Sequence, residues 1–239
     1  MMWWVMNASD RYMIALFLGT AANGIYAVAN KMPSFLSVFE NIFYQAWQTS
    51  SISTMEDTDR DIFYSDVFKK YFAILATGVL ALLLILKPLT IHLFAHGYES
   101  AWGCTSILVI AVMFHALGGN LGTLYGTFKS TKGALITSIV GALTNIVLNY
   151  LMIPHWGITA AATTTLIGYV VVLVYRWWDV KKFVNMRLSP RFVIFWLALV
   201  AVQFSLYYVD GIVSYLVRAI IVMFALYTNR NMILKILKH

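Results

Sequence analysis

Two adjacent charges of opposite sign, Asp10 and Arg11, interrupt an otherwise apolar stretch near the start of the chain, with Asn7 one helical turn before them. Successive residues on a helix do not face each other, so the two charges must have different partners. An ionised side chain at mid-bilayer costs about 2.5–3.5 kcal/mol on insertion scales, which drives it toward a protein interior or a wet cavity. Arg11 is therefore a candidate to hold an anionic substrate group. Asp10 is a candidate for an interhelical partner or a coupling ion. A structural ion pair between helices is the alternative for both.

A second set of polar residues follows at helical spacing: Asn30, Ser34, Ser37, Asn41, Gln45 and Gln48. They make one stripe along a helix, and such a stripe faces either neighbouring helices or water rather than lipid. Lys31 flanks it, and Pro33 removes one backbone hydrogen bond and predicts a kink. Broken helices near the midplane are typical of transporter binding sites. Arg11, Lys31, Asn30, Ser34, Asn41 and Gln45 are accordingly the candidate substrate-binding residues. Glu40 is half a turn out of phase with Lys31, so it is assigned to a neighbouring helix and, with Asp10, to possible ion coupling.

Elements that can position these groups must be membrane helices. Of the 239 residues 61% are hydrophobic and only 11% charged, where soluble proteins have roughly 25% charged. A water-soluble globule is excluded. Apolar stretches at 2–19, 24–48, 67–86, 104–127, 133–153, 158–178, 192–209 and 211–228 predict an all-α polytopic protein of about eight crossings. The polar run Ser50 to Asp66 reads as a solvated loop.

With that topology, thirteen Lys and Arg fall on the face that holds both termini, and only Lys87 falls on the opposite one. The excess predicts cytoplasmic termini and accounts for the net charge of +7, so nucleic-acid binding drops out. Trp3, Trp4, Trp47, Trp102, Trp156, Trp177 and Trp178 lie near span ends, where an indole suits the headgroup region. Arg218 is close enough to the outer end to snorkel.

Other signals point to packing. Gly118, Gly122 and Gly126, then Ser138, Gly141, Asn145 and Asn149, then Ala161, Thr165 and Gly168 form small-residue stripes of the kind that let helices approach. His115 reads as a hydrogen-bonded neutral imidazole. His92 and His96 are spaced for a metal but lack the rest of a zinc-protease pattern, and the acidic run from Glu56 to Asp66 lacks the glycine and terminal glutamate of a calcium loop. No catalytic residue, metal site or cofactor is assigned. The single cysteine, Cys104, excludes an internal disulfide. The apolar run begins almost at Met1 without a cationic leader, which argues against a cleaved signal and raises the expectation of a truncated or split gene.

Two groups of residues resemble a known family. Ser9-Asp10-Arg11, Gly24-Ile25-Tyr26, Ala29, Lys31 and Ala46-Trp47 look like the start of the second lobe of bacterial polysaccharide flippases, of the multidrug, oligosaccharidyl-lipid and polysaccharide exporter superfamily. Lys129 to Lys132, Asn145, Asn149, Ile153-Pro154, Gly157-Ile158 and Ala160-Ala161-Ala162 resemble that family's span-turn-span signature, with alanine at 160 where the family usually has glycine. Leu93-Phe94 with Gly97-Tyr98 fits its outer loop.

The resemblance implies one six-helix lobe at 1–182 and two additional helices at 183–239. It also implies a flippase, not an enzyme, that moves an undecaprenyl-pyrophosphate-linked oligosaccharide across the bacterial inner membrane. Arg11 and Lys31 match its cavity cations. Such a half would need an N-terminal lobe or a second copy of itself as partner, together with the lipid-linked oligosaccharide and membrane lipid. A drug or ion exporter of the same superfamily and a non-transporting membrane assembly subunit are the alternatives.

Overall fold

Helices account for almost all of the chain, because every backbone N–H and C=O inside a bilayer must be satisfied within the protein. The computed structural model describes residues 2–93, 98 and 101–237, and among them there is no strand. The helices are α1 (Met2–Leu18), α2 (Thr20–Ala29), α3 (Pro33–Ser53), α4 (Arg60–Leu93), α5 (Ala101–Thr127), α6 (Thr131–Asp179), α7 (Pro190–Tyr207) and α8 (Ile212–Leu237). By length and composition α4, α5, α6, α7 and α8 are each able to cross a membrane. The protein is an all-α polytopic membrane protein.

At 49 residues α6 is too long for one crossing, since a bilayer core takes about 20 residues. It bends at Gly157, whose φ of 63° and ψ of −148° are non-helical, a combination open essentially to glycine alone. Pro154 lies just before the bend. The two arms match the predicted spans 133–153 and 158–178.

Several expectations are corrected. Pro33 does not kink a continuous helix: the chain breaks after α2, and Pro33 occupies the first turn of α3, where its missing N–H is harmless. The polar stripe therefore starts on α3 at Ser34, with Asn30 left at the C-cap of α2. The run Ser50–Asp66 is mostly helix, and Asp61 and Asp66 sit on the first turns of α4. Trp47 is 3% exposed and donates its indole N–H to the Asn120 carbonyl at 3.1 Å, so it is a core residue rather than a headgroup anchor.

α5 is the axis of the fold. It packs against α2, α3, α4 and α6, while α7 and α8 pack mainly on α4, with Tyr207 at the end of α7 also donating to Trp102 O of α5. Its hydroxyl residues are silenced locally, with Thr105, Thr123 and Thr127 each donating to the carbonyl one turn back. α5 ends in a Schellman turn, with Ser130 N–H donating to Tyr125 O and Lys129 N–H to Gly126 O. Polar groups fasten α7 and α8 to one face of α4. Asn229 donates to Thr77 Oγ1 at 2.8 Å, Gln203 to Leu80 O at 3.1 Å, and Arg218 to Leu83 O. Lys87 pairs with Asp210 in the α7–α8 turn. Arg218 is fully buried between Tyr207 and Tyr215, so it does not snorkel. Lipid-facing surfaces are apolar, as along Leu135, Ile139, Leu143 and Val147 on the first arm of α6.

Gly157→Ala places a Cβ at a positive φ and is expected to destabilise the protein by about 1–3 kcal/mol. Thermal unfolding of the detergent-purified variant measures it; an unchanged midpoint would show that the bend does not require glycine.

Candidate functional site

Asp10 is 2% exposed in the middle of α1, and four side-chain donors converge on its carboxylate. Oδ2 accepts from the Tyr26 hydroxyl at 2.9 Å and from the Thr165 hydroxyl at 2.6 Å. Oδ1 accepts from the amide nitrogens of Asn145 at 3.1 Å and Asn149 at 2.6 Å. Asn149 also donates to Asn145 Oδ1 at 3.3 Å and accepts from Thr164. The carboxylate thus joins α1, α2 and both arms of α6.

Helical spacing makes this possible. Asn145 and Asn149 are one turn apart on the first arm of α6, Thr164 and Thr165 lie on the second, and the bend at Gly157 folds one arm against the other. Gly168 completes the approach, because a Cβ there would meet Met6 Cε at 2.6 Å and Gly141 O at 3.4 Å. Asn145, Asn149 and Thr165 were expected to be packing positions. They pack, but as donors to a buried acid.

Among the described residues no Lys or Arg forms an ion pair with Asp10. Its charge is met by neutral dipoles alone, which makes the site one of net negative character. A cavity of about 30 Å³ adjoins it, lined by Asn7, Asp10, Tyr26, Asn30, Thr165 and Tyr169, room for about one water or one bare monovalent cation. Hydroxyl, amide and carboxylate oxygens are the donor set of hard cations. Among the described residues no three His, Cys, Asp or Glu side chains come together to hold a metal ion. Of the His92–His96 pair, His96 lies outside the described residues.

The other predicted residues divide. Arg11 is exposed on α1 and donates Nε–H to Asn7 Oδ1 at 3.3 Å. Lys31 is exposed in the turn between α2 and α3, and Ser34 is tied to its carbonyl at 2.5 Å. Ser34, Asn41 and Gln45 are exposed on the side of α3 opposite buried Leu36 and Trp47. Asn30 turns away from that stripe, donating to Tyr26 O at 2.9 Å, and lines the small cavity by Asp10 instead. Glu40 accepts from His115 Nδ1 on α5 at 2.8 Å, the neighbouring-helix partner its phase required. Sequence reasoning missed Tyr26, Asn145, Asn149, Thr164 and Thr165. Two amides one turn apart in a membrane helix were the available signal, since such groups must find partners.

Asn149→Ala removes one donor from Asp10 and leaves Asn145 Oδ1 without its donor. A loss of about 1–3 kcal/mol is expected for unsatisfied buried groups, read by thermal unfolding in detergent. No loss would mean that the carboxylate is not held by these amides.

No family profile matches the chain. It is similar to an uncharacterized membrane protein of Methanocaldococcus jannaschii, 28% identical over 166 residues, covering 65% of this chain and 32% of that protein. Among solved structures it is similar to a lipid II flippase, MurJ, in an inward closed conformation, with a TM-score of 0.70 and 15% identity over 96% of this chain and 51% of that one. A multidrug resistance MATE transporter of the MOP superfamily, in an outward-facing conformation, aligns with a TM-score of 0.38 at 16% identity. The chain spans about a third of the curated relative and about half of the MurJ chain. At this identity the likeness is one of fold: the chain has the architecture of about half of a MurJ-type membrane transporter.

Proposed function

We propose that the chain is one lobe of a transporter that flips an anionic lipid-linked oligosaccharide between the leaflets of a cytoplasmic membrane. What supports the reading is a single feature of α3. Its polar stripe, with Arg11 and Lys31, is left uncovered by a chain that folds like half of a MurJ-type flippase. A solvated polar stripe is costly against lipid but suits the wall of a central cavity. The opposing wall is an N-terminal lobe or a second copy, and rocking of the two gives alternating access. Arg11 and Lys31 draw in the pyrophosphate, while Ser34, Asn41 and Gln45 accept sugar hydroxyls. In this reading the lobe sits with both termini in the cytoplasm, an orientation that the distribution of cations along the sequence supports.

In this reading the Asp10 cavity takes a coupling cation. A cation there would interact with oxygens on α1, α2 and the second arm of α6, so its occupancy would bias how these helices pack. Coupling of this kind requires differential affinity for two states. The Glu40–His115 pair is a second candidate for the coupled charge.

The test is complementation of a flippase-null strain by this chain with a separately expressed first lobe. Restored surface polysaccharide is expected, lost in Arg11→Ala and Lys31→Ala. Correct insertion of both halves without export, or export unaffected by both substitutions, overturns the proposal. For coupling, Asp10→Asn should abolish the dependence of transport on the cation gradient, measured in proteoliposomes.

A further inference from the structure

Another buried charge lies away from Asp10 and from Arg218. Arg176, near the end of the second arm of α6, is 8% exposed. Its Nη1 donates to Gly118 O at 2.7 Å, its Nε to Thr137 Oγ1 at 3.2 Å and its Nη2 to Ser138 Oγ at 3.3 Å. All three acceptors are neutral, and a guanidinium has more N–H donors than these bonds use. Among the described residues no carboxylate lies within ion-pair distance of it. A buried cation without a counter-charge is costly, and rare within membranes except where it faces a cavity.

Arg176 does line a cavity. It has a volume of about 500 Å³ between α3, α5 and α6, and it also presents Glu40, Asn41, Tyr44, His115 and Ser138. That is the size of a small-ligand site. Its floor is the glycine face of α5. A Cβ at Gly122 would stand 2.5 Å from Arg176 Nη1, and one at Gly119 would stand 3.5 Å from Glu40 Oε1. Positions three apart on a helix are neighbours, so the carboxylate and guanidinium lie along one floor without pairing. Gly126 has nothing within 4 Å of its would-be Cβ. The glycines at 118 and 122 thus make a seat for a guanidinium as well as a helix contact.

We propose that this cavity binds an acidic sugar, a uronate-type monoanion, with its carboxylate on the Arg176 N–H groups that the protein leaves unused and its hydroxyls on Glu40, His115, Asn41 and Tyr44. Arginine matches a planar carboxylate with two parallel bonds. Glu40 accepts hydroxyl protons, and its charge disfavours a dianionic phosphate so close by. Tyr44, 41% exposed at the rim, offers a ring face to a pyranose. The inference rests on the transport reading only in taking the sugar as part of the carried glycan. The site would then select glycans that contain an acidic residue.

Binding is tested on the full chain in nanodiscs, by thermal stabilisation and calorimetry, with free glucuronate, glucose and glucose 6-phosphate as probes. Glucuronate is expected to bind at least ten-fold more tightly than glucose. Gly122→Ala, which displaces the guanidinium without removing it, and Arg176→Gln should each erase that preference. Glu40→Gln should weaken glucuronate and favour glucose 6-phosphate. Equal binding of glucuronate and glucose, no binding of either, or a preference unchanged in Gly122→Ala overturns the assignment. Tighter binding of glucose 6-phosphate than glucuronate to the unaltered chain overturns the choice of carboxylate. None of these measurements needs a second lobe or transport, so the site can fail while the transporter reading stands, and the reverse.

Discussion

The bilayer offers no water to a buried charge, and the packing of α1, α2 and α6 is organised around one that it must satisfy, the Asp10 carboxylate. Four neutral donors from α2 and from both arms of α6 close on it. Such a network holds together only if the helices that carry the donors stay in register. The Gly157 bend, the close approach at Gly168 and the break between α2 and α3 are the backbone conditions for that register. Removing the acid would therefore loosen three helices at once rather than one contact.

The same accounting explains the rest of the architecture. α7 and α8 cannot be attached by the hydrophobic effect inside lipid, so they are pinned to α4 by Asn229, Gln203 and Arg218. Arg176 mirrors Asp10: each is a buried charge compensated by neutral groups of the protein, and each adjoins a cavity that can admit an opposite charge. The two sites lie along one face of α5, at Leu108–Val112 and at His115–Gly122, and differ in size as well as sign. One is small and suited to a bare ion, the other large enough for a ring-bearing anion. α5, in contact with both, is the element through which occupancy of one could be felt at the other.

Much of this was legible in the residues. Eight apolar stretches, the turn chemistry between them and the periodic polar face of α3 are local patterns, and each rests on the chain's own helical repeat. That Glu40 would serve a neighbouring helix followed from its phase against Lys31, but that the partner is His115 did not. What was not legible was the destination of polar groups whose neighbours come from distant sequence. Asn145 and Asn149 look like small packing residues until the arm beyond Gly157 folds back and α1 inserts its acid between them. Trp47 and Arg218 were placed at the headgroups because their span positions allowed it, and only the presence of Asn120 and Leu83 opposite them drew both into the core.

The sequence by itself determined that this is a helical membrane protein, where most of its helices run, and which charges interrupt its apolar stretches. Those properties depend on composition and on spacing along a single helix. The tertiary structure decided which charges are partnered and which face a cavity. Partnering depends on helices brought together from positions such as 10, 26, 149 and 165, and no repeat along the chain encodes that meeting.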